Sequence, residues 1–539
     1  MAVPPMDQAV AARRRLGAVV GPVRLVPTSS ITTQIGGLNS YFGAVEVGSA
    51  SDGLVVVNRL PLERYLLGLN EVPPDWPTEA LEAQAIAART YALETLGRPP
   101  AGAAAVYGFD ICASVECQVF SGADVLKVAD GGRWRDAVEA TSGTAVLHNA
   151  RPILARYHST SGGTTFDNEQ IFPSEGAYPY LKGVESTTEE GSPLYRWRVS
   201  FALRKLERMV RRAGFWEGRH RLEVVRTVDS SQGLHYPDVL LEGGRRRVRV
   251  TAEELRVELR DIAPSLYPAL YPSAWHTTSG RLPETFPSNR LTIATSGRTV
   301  RVVGRGWGHG VGMSQWGAEG LAKRGATAEE ILLHYYSGVE VGPVDARGPI
   351  RVGVAWGLGE VTATGSFRLL DGTGRVLVDD AVGTWRFVSE GPGAVSVDPP
   401  KGFGLPLEVG IVAGPDTVEV GKRITFDVAL SRPARVRVVV EGASAGPLEV
   451  RSAGRSKLAW RAPREPGEYE VSIRAQAGGR TRKDGTTLRV EAPAAAEAER
   501  PVPPSETDGG PPWSLVLGLA GAVLLIAALF GAIKATMGR

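Results

Sequence analysis

Short apolar runs rich in β-branched and aromatic residues, at 23–26, 41–47 and 54–57, are set off by polar Gly, Ser and Asn positions, and they predict strands. The pattern then changes. Asp75-Trp76-Pro77-Thr78 supplies a helix start with Pro in the first turn, and Leu81, Ala85, Ala88, Ala92 and Leu96 follow at helical spacing. That stripe is made mostly of small side chains, so another backbone can come close. Residues 190–300 mix a basic helical run at 203–212 with alternation at 245–250, the pattern of an inserted α+β region, and a second helix is predicted at 326–336.

Beyond Gly342 the texture is all-β, with alternating runs at 350–354, 367–370, 384–388, 424–428, 435–440 and 469–473 separated by Pro and Gly. The expected layout is an α+β domain at 22–342, mixed β with a few helices, and a β-rich module at 343–412. An immunoglobulin-like sandwich at 413–492 follows, although the Cys…Trp…Cys hallmark is missing. A Pro/Ala/Glu linker at 493–512 and a transmembrane helix at 513–533 complete it. The last segment has 21 uncharged residues, and Lys534 and Arg539 come after it. This predicts a single-pass protein of the cell membrane, its C-terminus cytoplasmic and its bulk facing the cell wall outside. Such a topology needs an export signal, but after Arg13, Arg14 and Arg15 the apolar stretch at 16–23 is short, so either the true start lies upstream, the favoured reading, or the span alone inserts and the large domain stays inside.

Composition narrows the function classes. Hydrophobic residues make up 43% and charged residues 22%, which excludes disorder or a multi-spanning protein for the bulk. Sixty-one Lys and Arg stand against 58 Asp and Glu, a net +3 over 539 residues, so there is no electrostatic case for nucleic acid as partner. GxxxxGK[ST] and HExxH are absent, which removes the main support for nucleotide and zincin readings.

Three segments carry candidate chemistry. In the run from Gly304 to Ala318, glycine stands at alternate positions, which serves close approach to the main chain or a glycine-rich hairpin rather than core filling. Trp307 and Trp316 offer flat faces suited to sugar rings, with His309, Ser314 and Gln315 as polar groups beside them. Glu71 sits between the apolar Leu69 and Val72, just before the helix. Desolvation there would raise its pKa toward that of a general acid, and the positive end of the helix would oppose this. The third segment, residues 155–165, reads as a strand leading into a polar loop that holds His158, Ser159 and Ser161. Cys112 and Cys117, spaced C-x4-C, have three states open to them: a disulfide, a structural zinc site completed by His158, or free thiols.

These segments, in this order, resemble the stage II sporulation protein D family of cell-wall proteins, which includes lytic transglycosylases acting on peptidoglycan. The resemblance covers about residues 22–342. It rests on Pro61 to Leu66, Glu71, Glu79 to Ala92, Cys112 to Gln118, Tyr157 to Gly163 and the Gly-Trp-Gly-His-Gly-Val-Gly-Met-Ser-Gln run. It implies that Glu71 is the catalytic acid and that Arg89, Tyr91, His158, Ser159, Ser161, Trp307, His309, Ser314, Gln315 and Trp316 bind glycan. It also implies zinc at the Cys pair in some members, where Glu116 replaces a frequent His in this chain. The implied activity is cleavage of glycan strands to anhydro-muramyl ends, with no cofactor required. The alternatives are an amidase enhancer that modulates a partner hydrolase, and a wall-binding surface protein.

Overall fold

The structure is a computed structural model and describes residues 16–493 apart from 30–31, 272–275, 278–279, 346–347 and 442–444. One sheet of eleven strands dominates it. Its neighbour order is Gly17–Val20, Ala394–Asp398, Val376–Ser389, Glu360–Leu370, Val23–Pro27, Ala44–Ala50, Gly53–Pro61, Pro349–Leu358 and Ile111–Cys112, with Thr33–Ile35 and Ser40–Tyr41 on its margin. Strands from residues 17–61 and 349–398, far apart in the chain, therefore interleave in the sheet. Leu25 lies opposite Val45 on one side and Leu369 on the other, and all three are buried.

This corrects the expected boundary after residue 342. The segment beyond it completes the sheet that residues 17–61 begin, because a buried strand such as Val23–Pro27 must find hydrogen-bond partners along both edges. Alternation in sequence reveals a strand and its buried face but not the strand beside it.

The helix Thr78–Leu96 starts and stops where the sequence indicates, after Pro77 and before Gly97. Of its expected stripe Leu81, Ala85, Ala88 and Ala92 are buried while Leu96 is exposed, and Ala83, Ile86, Ala87, Gln84, Arg89 and Thr90 on the other faces are buried too. Leu81, Ala85, Ala88 and Ala92 face a core beneath the large sheet, shared with Val56 and Trp385. Ala83, Ile86 and Ala87 face a second core, shared with Trp197, Phe201 and Leu255. The helix is thus a wall between two cores, and its alanines let the helices Gly131–Ala140, Gln315–Lys323 and Ala328–Tyr335 pack close.

The region expected to be an α+β insertion contributes to that second core. It holds the sheets Trp197–Ala202/Thr299–Gly304/Leu291–Ser296 and Val224–Val228/Asp238–Gly243/Arg246–Thr251, with the helices Leu203–Arg212 and Ala252–Leu266. The second of these helices opens on a capping box between Thr251 and Glu254. Residues 409–491 form a three-stranded and a five-stranded sheet around one core containing Phe426, Trp460, Ile473 and Leu488. Arg435, ion-paired with Asp380 at 3.1 Å, ties this sandwich to the large sheet.

Two corrections to the expected fold class follow. Strand residues outnumber helical ones, and the first domain is built around β-sheets, so the chain is mainly β rather than α+β. The expected span at 513–533 and the linker after Pro493 lie outside the described residues, and among the described residues no helix is long and apolar enough to cross a membrane. The structure gives the transmembrane helix no support.

Candidate active site around Glu71

Residues 68–71 run beside 119–121. Asn70 N–H donates to Val119 O and Ser121 N–H to Gly68 O, both at 2.8 Å, and Leu69 bridges to Phe120. This pairing aims Val119 N–H at Glu71 Oε1, 2.6 Å away. The two-residue strand Tyr157–His158 pairs in parallel with Met313–Ser314, which brings the third segment against the glycine-rich run. Tyr157 hydroxyl then donates to Glu71 Oε1 at 3.1 Å, and the Gln315 side chain hydrogen-bonds the same carboxyl. Burial pushes the Glu71 carboxyl up to about 7, while the bonds from Val119, Tyr157 and Gln315 hold it back from going higher. A carboxyl in this range is partly protonated near neutral pH and can serve as a general acid.

Cys112 and Cys117 are joined in a disulfide, which corrects the zinc alternative: sulfurs bonded to each other are not ligands. Among the described residues no group of three or more His, Cys, Asp or Glu could hold a metal. The disulfide closes the loop that leads directly into Gln118 and Val119, two residues of the Glu71 surroundings.

Several expected glycan contacts are instead internal fastenings. Arg89 is fully buried and pairs with Glu63 at 2.7 Å. Its remaining donors go to Thr144 O, Val138 O and Thr141 Oγ1, so none is left for a ligand. His158 is buried with Nδ1 against Val311 O at 3.2 Å, and desolvation lowers its pKa to about 4, which keeps it neutral. His309, with its ring 5.4 Å from that of His158, accepts from Val311 N–H through Nδ1 and is also held neutral by burial. Ser161 is buried, with its N–H on Glu189 and its hydroxyl accepting from Gly163 N–H. Ser314 is spent as the N-cap of Gln315–Lys323, accepting from Gly317 N–H.

The remaining positions keep partial exposure. Ser159 accepts Trp316 N–H through its carbonyl at 3.0 Å. Tyr91 stands edge-on to Tyr157, ring centroids 6.5 Å apart. Trp307 pairs with Thr160 along the backbone, and its indole N–H is held by Glu284 at 2.9 Å. Trp316 meets Trp76 edge to face at 5.0 Å, next in chain to Gln315. The structure thus gathers Glu71, Gln315 and, behind them, Tyr157, Gln118 and Tyr65. The last three lay inside quoted motifs, yet only their three-dimensional contacts distinguish them from neighbours such as Arg89.

The alternate glycines serve the chain's own close packing. Gly306 and Gly312 have φ of 80° and 71°, and a Cβ there would stand 2.6 Å from Thr160 O and 2.1 Å from Arg156 O. The run is laid along residues 156–166, which is the approach its composition calls for. Gly312→Ala is expected to cost more than about 2 kcal/mol, read as a lowered denaturant midpoint. An unchanged midpoint would show that this backbone has room to move.

Residues 50–148 match the family described as Stage II sporulation protein. The match takes in Glu71, the long helix and the disulfide. Residues 50–148 thus form a domain of the Stage II sporulation protein family. It is 29% identical over 299 residues to stage II sporulation protein D of Bacillus subtilis (strain 168), covering 54% of this chain and 77% of that protein. Stage II sporulation protein D of Bacillus amyloliquefaciens is 28% identical over 306 residues, 54% of this chain and 76% of its own length. The amidase enhancer of Bacillus subtilis (strain 168) is 26% identical over 304 residues, with 50% of this chain aligned to 39% of that protein. Proteins similar to this chain thus carry two names, stage II sporulation protein D and amidase enhancer, and the Glu71 site bears on the choice between them.

Proposed function

We propose that this chain acts at the cell wall as a peptidoglycan lytic transglycosylase with Glu71 as its single acid and base. The observation that carries this reading is a lone carboxyl raised to about 7 whose hydrogen-bond partners, Val119, Tyr157 and Gln315, include no second carboxyl. Hydrolysis of a glycosidic bond commonly uses two carboxyl groups. Transglycosylation needs one. Glu71 gives its proton to the glycosidic oxygen as the C1–O bond breaks, and the primary hydroxyl of the same muramyl residue attacks C1. That hydroxyl's proton returns to Glu71 as the anhydro ring closes. In the carboxylate stage the Val119 N–H and Tyr157 O–H bonds stabilise the negative charge. Trp316, partly exposed and next in chain to Gln315, offers an aromatic face for a sugar chain, with the buried Trp76 behind it. A disulfide at Cys112–Cys117 fits an oxidising, wall-facing location outside the cytoplasm.

An amidase enhancer is the second reading, favoured by the relative of that name. The two separate cleanly in purified sacculi. The chain alone is expected to release soluble glycan, with a rate that falls as pH rises through about 7, because the acid must carry its proton. Release that appears only when an amidase is added would favour the enhancer instead.

A further inference from the structure

Behind Glu71 lies a buried chain of polar side chains. Gln118 is fully enclosed, and the backbone carbonyl of Ala88 beside it can only accept, so Gln118 Nε2 must face Ala88 O, at 3.2 Å. With the amide oriented in this way, Oε1 accepts from the Tyr65 hydroxyl at 2.8 Å, and the second Nε2 hydrogen points at the Tyr157 oxygen, also at 2.8 Å. Tyr157 therefore already receives a donor, and its one proton is directed to Glu71 Oε1. That oxygen also accepts from Val119 N–H. Two donors on Oε1 leave the carboxyl proton to the other oxygen.

We propose that Tyr65, Gln118 and Tyr157 are positioning residues, a one-way chain of hydrogen bonds that reserves Glu71 Oε1 as an acceptor and leaves the transferable proton on Oε2. This rests on the proposed role of Glu71 and specifies how its acid proton is placed. The titratable groups facing Glu71 are the phenols of Tyr65, on the short helix Leu62–Leu67, and Tyr157, on the strand that meets Met313–Ser314. Tyr91, on the long helix, stands behind them. Burial raises all three, so they stay neutral while Glu71 titrates. From the Gln315–Lys323 helix the facing group is the uncharged Gln315, and from the segment after the disulfide it is the Val119 N–H.

The test is a 13C titration of the Glu71 carboxyl in the full chain, its signal assigned by its loss in Glu71→Gln. Tyr157→Phe removes a donor that favours the carboxylate, so the midpoint is expected to rise by about one pH unit. Gln118→Met frees the Tyr157 hydroxyl to turn its proton away, and the midpoint is expected to move in the same direction. The alkaline limb of glycan release should move with it. A Glu71 midpoint unchanged in both folded variants would overturn the proposal. A shifted midpoint in a chain that cleaves no glycan would uphold the positioning network and refute the transglycosylase reading, so the two failures are distinguishable. Gln118→Met also serves as the second variant if Tyr157→Phe does not fold, and a normal cooperative unfolding transition qualifies each for the comparison.

Discussion

Glu71→Gln is expected to lower the rate of glycan release by about 10²–10⁴-fold while leaving the fold intact. The new amide oxygen can still accept from Val119 N–H and Tyr157 hydroxyl, so the site keeps its shape and loses only its transferable proton. A second readout comes from stability. The folded-state pKa of about 7 lies above the ordinary 4.5, so the folded state holds the proton more tightly than the unfolded chain does. Stability is then full below about pH 4.5 and declines as pH rises toward 7, where the folded carboxyl ionises in a desolvated place. Glu71→Gln does not suffer that decline, and should exceed the parent protein by on the order of 2 kcal/mol at pH 8 while differing little at pH 4. Such an exchange of stability for activity is common where a site holds a group in an unfavourable place. Denaturant melts at the two pH values measure it, and a parent protein whose stability does not fall between them would contradict the assigned environment of Glu71.

The second large effect is at Arg89. Arg89→Met keeps much of the side-chain length but removes a guanidinium that links Glu63 to the Val138 and Thr144 carbonyls from inside the long helix. Breaking such a buried arrangement costs about 3–5 kcal/mol, because the carbonyls lose their donors as well as the ion pair. Thermal unfolding should shift down accordingly, and glycan release per folded molecule at low temperature should be near normal. Normal stability with weakened glycan binding would return Arg89 to the substrate-binding role that family resemblance implies.

Arg89 also illustrates how much of the site the sequence makes legible. A polar residue in a motif is visible as a residue type, but whether its donors face a ligand or a neighbouring carbonyl is decided by packing between segments far apart in the chain. Arg89, His158, Ser161 and Ser314 all fall on the internal side of that division. Glu71 was legible because its apolar neighbours and its place before a helix already state the desolvation that raises it. Gln118 was not, since its function depends on Tyr65, Ala88 and Tyr157 meeting around one amide.

The fold divides similarly. Local periodicity reveals the helix Thr78–Leu96 and, in the sandwich, the strands Arg423–Leu430, Ala434–Val440 and Gly467–Ala477. It does not reveal that Glu360–Leu370 pairs with Val23–Pro27 across more than three hundred residues, because a strand's own alternation carries no record of its partner. The domain boundary after residue 342 failed for that reason. The mainly β character of the chain as a whole was hidden similarly, in strands whose pairing is non-local.

The central claim is that Glu71 cleaves glycan without adding water. Its most direct test is the chemistry of the new muramyl end when the purified chain, with no amidase present, digests isolated sacculi. The account predicts 1,6-anhydro-muramyl ends from the parent protein and almost none from Glu71→Gln. Reducing muramyl ends, or anhydro ends released equally by both proteins, would contradict it.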